Sequence, residues 1–148
     1  MRRSSQSKSK GFKLPDVEIG SWKARFIGTP RGSIGQLVQQ AAKQTSVELT
    51  YLVLAAEAEA PTSRHIWPAV ATFWVPTIMK TDVSDAGVLF RTDELPSLGL
   101  SLEVTRTQFS DICWLLKERR LSAFHFTVLE PTADNRWPLK SWGASFEL

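Results

Sequence analysis

Cysteine and histidine are scarce in this chain. Its 148 residues include one cysteine, Cys113, and two histidines, His65 and His125. A single thiol excludes an internal disulfide framework. No H-x-x-x-H, C-x-x-C or neighbouring histidine–acid pattern is present, so nothing predicts a metal site. The G-x-S-x-G pattern of a serine nucleophile is also missing. We therefore expect no catalytic residue, no metal and no cofactor.

Long apolar runs are missing as well. No stretch approaches the roughly 18–20 apolar residues that are needed to cross a bilayer. The basic start of the chain has no apolar run behind it, unlike a secretory signal. We therefore expect no membrane partner and a cytoplasmic protein. The 43% share of hydrophobic residues and the 22% share of charged residues are typical of a globular chain rather than a disordered one.

Acidic residues are absent from the first thirteen positions, where five basic residues stand: Arg2, Arg3, Lys8, Lys10 and Lys13. Since the whole chain carries +3 and these five supply +5, the remainder carries −2. The segment is rich in Ser and Lys and cannot bury apolar surface to offset the entropy of ordering. We predict a flexible basic arm over residues 1–15 and a mildly acidic folded domain over residues 16–148.

The apolar spacing of this domain predicts an α+β fold with two helices packed on an antiparallel or mixed sheet. The first helix is indicated by residues at i, i+3, i+4 and i+7, which share one helix face: Ile34, Leu37, Val38 and Ala41. Two starting points compete for it. Ser33 and Gln36 form a capping box, whereas Thr29 and Pro30 offer an N-cap followed by a first-turn proline.

The second helix shows the same spacing in Phe109, Ile112, Cys113 and Leu116. Thr105 and Gln108 form a capping box ahead of it. The helix ends in "KERR" at 117–120, where cations favour the helix dipole. Cys113 is therefore expected to be a buried structural thiol.

Alternating apolar residues predict strands around these helices. The residues expected to face the core are Trp22, Ala24 and Phe26; Leu49, Tyr51 and Val53; Leu100, Leu102 and Val104; and Phe124, Phe126 and Val128. "AVATFWVPTIM" at 69–79 predicts a buried strand, in which Pro76 marks a bulge or an edge because proline cannot donate to the ladder. "VLFRT" at 88–92 and "KSWGASFEL" at 140–148 predict further strands.

Two segments, "PTSRHIWP" at 61–68 and "PTADNRWP" at 131–138, repeat Pro-Thr, four variable residues and Trp-Pro. A shift of 75 residues superimposes the two predicted helices and the strands after them, while the repeated segments need a shift of 70. We interpret this as an internal duplication with halves at about 16–92 and 98–148. Each half would be strand–helix–strand–strand, and the two would be related by a pseudo-twofold axis. The register of the last strand stays open.

The candidate binding residues are Trp67, Trp137, Trp74, Arg64, Arg136 and His125. Either the two Trp-Pro tryptophans cap the core where loops enter strands, or they form aromatic walls around a groove between the halves. His125 alternates with phenylalanines and should lie on the outer sheet face. "GTPRGSIG" at 28–35 could cradle a phosphate but matches no phosphate-binding fingerprint, which favours a capping loop.

These features favour a non-enzymatic binding or assembly module that acts through aromatic surface and sheet edges, with a protein partner or a second copy of the chain. One alternative is association with nucleic acid, in which the basic arm contacts phosphates and tryptophans stack on bases. A second alternative is a small enzyme with its pocket between the halves.

Overall fold

A computed structural model describes residues 16–40, 44–76, 86–91 and 97–148. The predicted basic arm, with Arg2, Arg3, Lys8, Lys10 and Lys13, lies outside the described residues, as does Ala41. The described elements are β1 (Gly20–Ser33), β2 (Gln36–Gln40), β3 (Gln44–Glu48), β4 (Thr50–Glu59), β5 (Ile66–Val75), β6 (Gly87–Arg91), β7 (Leu98–Glu103), α1 (Arg106–Lys117), β8 (Leu121–Val128) and β9 (Arg136–Phe146). Within these ranges no helix is long and apolar enough to span a membrane.

Seven of these strands close into a barrel in the order β1-β4-β5-β7-β6-β9-β8. β5 and β7 run parallel, and the other neighbouring strands run antiparallel. β2 and β3 pair only with each other, as a hairpin outside the barrel. The hairpin extends the direction of β1 and β4, because residues 31–33 of β1 still pair with residues 51–53 of β4.

Alternate residues of the barrel strands point inward and fill the interior. The ring centroid of Phe124 lies 5.1 Å from that of Phe26, 5.7 Å from that of Phe73 and 5.9 Å from that of Trp142. Trp22 stacks on Phe126 at 5.8 Å. The inward faces predicted for β7 and β8 are confirmed by burial, and on β1 Trp22 is buried while Ala24 and Phe26 are partly buried against the same aromatic core.

The helix predicted after β7 is present and covers one end of the barrel, which we call the helix end. Thr105 Oγ1 accepts a hydrogen bond from the Gln108 amide at 3.0 Å, and Gln108 Oε1 accepts one from the Thr105 amide at 2.9 Å, as a capping box requires. Ile112 and Leu115 of α1 are buried. The opposite end, the loop end, carries the β4–β5 and β8–β9 connections.

The predicted α+β class with two helices is wrong, since most of the described chain is strand and only α1 is helical there. Of the residues assigned to the first helix, Leu37 and Val38 lie in β2, where they pair with Val47 and Ser46 of β3. Helical spacing was accidental in this segment, because Ile34 is 81% exposed and no described element covers a common face. Cross-strand pairing determined the structure instead.

The core face predicted for β4 is also wrong. Leu49 and Tyr51 are 45% and 42% exposed, whereas Leu52 and Leu54 are buried. Apolar residues occupy both parities of "LTYLVLA", so alternation alone did not distinguish the faces. The register decides it, because Leu52 pairs with Phe73 and Leu54 with Ala71 on the inward face of β5.

The predicted internal duplication is wrong, because it requires a helix where the structure has strand β2. Strands of the two proposed halves are also interleaved, since β7 lies between β5 and β6. The repeated Pro-Thr…Trp-Pro segments nevertheless have matching positions: each connects two antiparallel strands at the loop end and sends its tryptophan into the barrel. The repeat therefore marks two similar hairpin connections, not two halves.

Candidate binding cleft

The barrel wall is incomplete between β1 and β8. The two strands pair from Gly20 with Val128 as far as Ala24 with Phe124, and no pairing between them follows. Both strands continue, because residues 25–27 still pair with β4, and Leu121 and Ala123 still pair with β9. Two strand edges therefore face each other near the helix end without being joined.

Irregularities on both strands explain this divergence. The register of β1 with β4 shifts between Ile27 and Arg31, where Gly28 adopts a φ of 76°. On β8, the register with β9 shifts between Leu121 and Ala123, which leaves Ser122 as an extra residue. Bulges of this kind bend a strand and interrupt its ladder. The two strands therefore separate at the point where each becomes irregular.

A cleft of about 820 Å³ occupies the gap. Its apolar floor and walls come from the barrel interior and from the end of α1: Ala24, Phe26, Leu54, Phe124, Leu115 and Leu116. Its polar rim comes from the outer face of the barrel and from the loop after α1: Lys23, Arg25, Glu57, Glu59, Arg119, Ser122 and His125. The volume lies within the roughly 300–1,000 Å³ of ligand pockets, and an apolar base with few polar groups is their usual composition.

The rim has an excess of positive charge. Arg25 Nη2 lies 2.5 Å from Glu57 Oε1, and Arg64 pairs with Glu59, so both rim carboxylates are already in ion pairs. Lys23 and Arg119 also line the cleft. Neither has an ion-pair partner among the described residues. The rim therefore favours an anionic group.

The backbone of Arg119 is unusual for its residue type. The Arg120 amide donates to the Leu115 carbonyl at 2.9 Å, and the Arg119 amide donates to the Leu116 carbonyl at 3.3 Å. These bonds form a Schellman motif, whose left-handed position commonly holds glycine. Here Arg119 occupies it with a φ of 56°. Arg119 therefore lies at the cleft in a left-handed backbone conformation that glycine, and to a lesser degree asparagine, adopts with less steric strain.

His125 lies on the outer face of the barrel, as predicted, between Lys23 of β1 and Gly143 of β9. A Cβ atom at Gly143 would lie 2.7 Å from His125 Nε2, so the imidazole occupies the space that a larger residue would fill. Gly143 therefore permits His125 to lie flat against the barrel wall beside the cleft.

The two tryptophans of the repeated segments lie in the core. Trp67 is 1% exposed and Trp137 is 8% exposed, so neither forms a wall of an outer groove. The Trp67 indole N–H is buried and has no hydrogen-bond partner among the described residues. His65 packs edge-on against Trp67, and Arg91 lies 6.0 Å from the centroid of the Trp137 ring.

The remaining candidates are dispersed. Trp74 is half-buried and donates its indole N–H to Ser101 Oγ at 3.0 Å. Arg136 lies 5.8 Å from the centroid of the Phe90 ring, away from the cleft. Arg64 reaches the cleft only through its ion pair with Glu59. Of the predicted binding residues, His125 alone lines the cleft.

Sequence reasoning missed Lys23 and Arg119. Lys23 has no local signal, because it is one of many polar residues that alternate with apolar ones. Arg119 had a usable signal: the helix pattern stops at Lys117, and no glycine follows where a C-cap usually has one. The favourable interaction of cations with the helix dipole explains "KERR" without any binding role, so the sequence alone did not indicate one for Arg119.

The described side chains around the cleft form neither a metal-ligating cluster nor a hydrogen-bonded serine–histidine pair. No group of three metal-ligating side chains occurs there. No hydrogen bond joins Ser122 to His125 among the described residues. Burial raises the pKa of the Cys113 thiol, which disfavours the reactive thiolate.

Comparison of the chain with protein families, curated proteins and solved structures finds no match.

Proposed function

We propose that this protein is a non-enzymatic binding module whose ligand occupies the β1–β8 cleft. The observation that carries the proposal is the end of β1–β8 pairing at Ala24 and Phe124 while both strands continue. A barrel normally removes every strand edge by closing. An opening in the wall of a closed barrel is therefore a feature that a purely structural scaffold does not need.

The surroundings of the opening support binding rather than loose packing. Phe26 and Phe124 at its floor belong to the aromatic cluster of the core, so the floor is held by ring contacts. The rim is held by the Arg25–Glu57 ion pair and by the Schellman motif at Arg119. A preformed site of this kind loses little conformational entropy when a ligand binds.

The proposal can be tested by blocking the cleft without touching the core. Ser122 is exposed, lies on a bulge and lines the cleft, so a Ser122→Trp substitution should fill the gap and leave the barrel folded. Ser141→Trp is the matched control, because Ser141 is an exposed serine on β9 that does not line the cleft.

Binding of a mixed library of peptides and small organic molecules would be followed by saturation-transfer NMR. We expect ligands that bind the wild-type and Ser141→Trp proteins and that Ser122→Trp rejects. Circular dichroism melts would establish that both variants are folded. The proposal fails if no compound binds, or if every ligand binds Ser122→Trp as well as it binds the wild type.

A further inference from the structure

We propose, on the basis of the binding function above, that the ligand is an extended peptide in which acidic and apolar residues alternate. It would add as a strand to residues 25–27 of β1. Its apolar side chains would contact the floor of the cleft, and its carboxylates would contact Lys23 and Arg119.

The main chain of β1 has an unpaired edge at the cleft. Residues 25–27 of β1 pair with Glu57, Ala56 and Ala55 of β4, so one side of this segment is satisfied. On the other side β8 has moved away, and alternate N–H and C=O groups of β1 point toward the cleft. An extended peptide supplies the missing partners by strand addition, which is a general mode of peptide recognition.

The same edge of β1 determines which peptide side chains face the cleft floor and which face the rim. Along β1, Phe26 lies at the cleft floor while Arg25 and Ile27 are exposed. A strand paired with β1 shares its pleat, so its side chains alternate between the floor and the outer rim. Positions over Phe26 and Phe124 favour apolar residues. Peptide side chains beside Lys23 and Arg119 would contact cations that have no ion-pair partner among the described residues, so acidic residues are favoured there.

Charge also excludes two occupants from within the chain. The first thirteen residues carry five cations and no acid, so they would place like charges against Lys23 and Arg119. The β2–β3 hairpin has one described charged residue, Glu48, and that residue is in an ion pair with Arg106. A separate acidic and apolar segment is therefore the better match.

Selection from a random heptapeptide library displayed on phage tests the chemistry. The full-length wild-type protein would be the target, with Ser122→Trp used for counter-selection. We expect enriched sequences that alternate acidic and apolar residues. Enrichment of basic sequences, or of sequences without alternation, would overturn the proposal even though the cleft binds peptides. Failure of Ser122→Trp to affect any ligand would contradict the binding function itself.

Enriched peptides would then be synthesised and titrated against variants by fluorescence anisotropy. Arg119→Asn removes the charge and keeps a residue that tolerates the left-handed backbone, so we expect binding to weaken about tenfold, as loss of a charge-assisted contact does. Arg120→Gln is the control, since Arg120 is exposed next in the chain but does not line the cleft. Equal losses in the two variants would show a general charge effect and contradict the specific contact.

Strand addition has a signature of its own. Methylating the peptide nitrogens one at a time should weaken binding at every second residue only, because alternate N–H groups face β1. Uniform tolerance would indicate recognition by side chains alone and overturn strand addition.

Labelled single-stranded DNA serves as the competing ligand class. If DNA displaces the peptide from the wild type and Arg119→Asn abolishes DNA binding as well, the cleft is an anion site for nucleic acid instead.

Discussion

At the scale of single residues, the sequence predicts which side chains of a strand face the core only where one face of the strand is apolar and the other is polar. Trp22 and Phe126 alternate with polar neighbours, and both are buried as expected. Parity was unreadable in β4, where apolar residues occupy both faces and only the register with β5 selects Leu52 over Tyr51. Residue chemistry also failed to locate the cleft, because Lys23 becomes a rim residue only when β8 diverges from β1.

Truncation of one buried residue in β8 and one exposed residue just before β4 should separate these environments. Phe124 contacts three aromatic rings within 6 Å and is buried, so Phe124→Ala should lower the free energy of unfolding by about 3–5 kcal/mol. Leu49 is largely exposed, so Leu49→Ala should cost less than about 1 kcal/mol. Urea denaturation measures both values. A larger loss at Leu49 than at Phe124 would contradict the burial described for these two residues.

Glu18 should make stability depend on pH. Its carboxylate accepts a hydrogen bond from the Thr62 amide at 2.7 Å. The Ser63 side chain, and then the Thr62 amide, hold the pKa of Glu18 below its ordinary value of 4.5. Because the folded pKa is lowered, this stabilisation is present above the unfolded pKa and is lost as the pH falls through the folded pKa.

Thermal melts of the wild type and Glu18→Gln test this from neutral pH downward. We expect Glu18→Gln to be the less stable protein at pH 7, and the difference should shrink as the pH falls below 4.5. Asp16→Asn is a control for a nearby exposed acid. A difference that persists unchanged into acid would show that the effect comes from the shape of the side chain and not from its ionisation.

At the scale of elements, local signals succeeded where the chain makes its own contacts. The Thr105–Gln108 capping box is formed within four consecutive residues, and α1 begins where it predicts. The residues around Ile34 and Leu37 show the same apolar spacing, but no described element packs against them, and the segment pairs across a hairpin. Helix spacing is informative only when a surface exists to bury the face, and that surface depends on the topology of the whole barrel.

Arg119 should show opposing effects on stability and binding. Glycine adopts the left-handed C-cap without a steric penalty, so Arg119→Gly should raise the free energy of unfolding by about 1 kcal/mol. The same substitution removes a cation from the rim and should weaken binding of an acidic peptide. Chemical denaturation and anisotropy measure the two effects. If Arg119→Gly destabilises the protein, the arginine contributes to the fold and its conformation does not indicate a binding role.

At the scale of the whole molecule, the closed barrel and its opening depend on contacts that are distant in sequence. β1 and β8 pair although about a hundred residues of sequence lie between them. β5 and β7 pair in parallel although β6 lies between them in the sequence. No periodicity in the chain specifies which strands become neighbours, which is why the barrel was not predicted. The repeated Pro-Thr…Trp-Pro segments did contain topological information, because each forms a hairpin connection at the loop end.

The opening should be visible in the hydrogen exchange of the free protein. Amides of Trp22 and Lys23 lie in the paired part of β1, whereas amides of residues 25–27 that point away from β4 have no β8 partner. Unpaired edge amides exchange without global unfolding, so they should exchange much faster than those of Leu100 and Leu102, which lie in β7 and pair with both β5 and β6. Amide exchange followed by NMR measures each rate. Addition of a selected acidic peptide should slow exchange at residues 25–27 and leave Leu100 and Leu102 unchanged, because the peptide replaces the missing strand and neither leucine lines the cleft. Strong protection of residues 25–27 in the free protein would mean that β1 and β8 are joined in solution, and the cleft could then bind a strand only after the barrel wall opened.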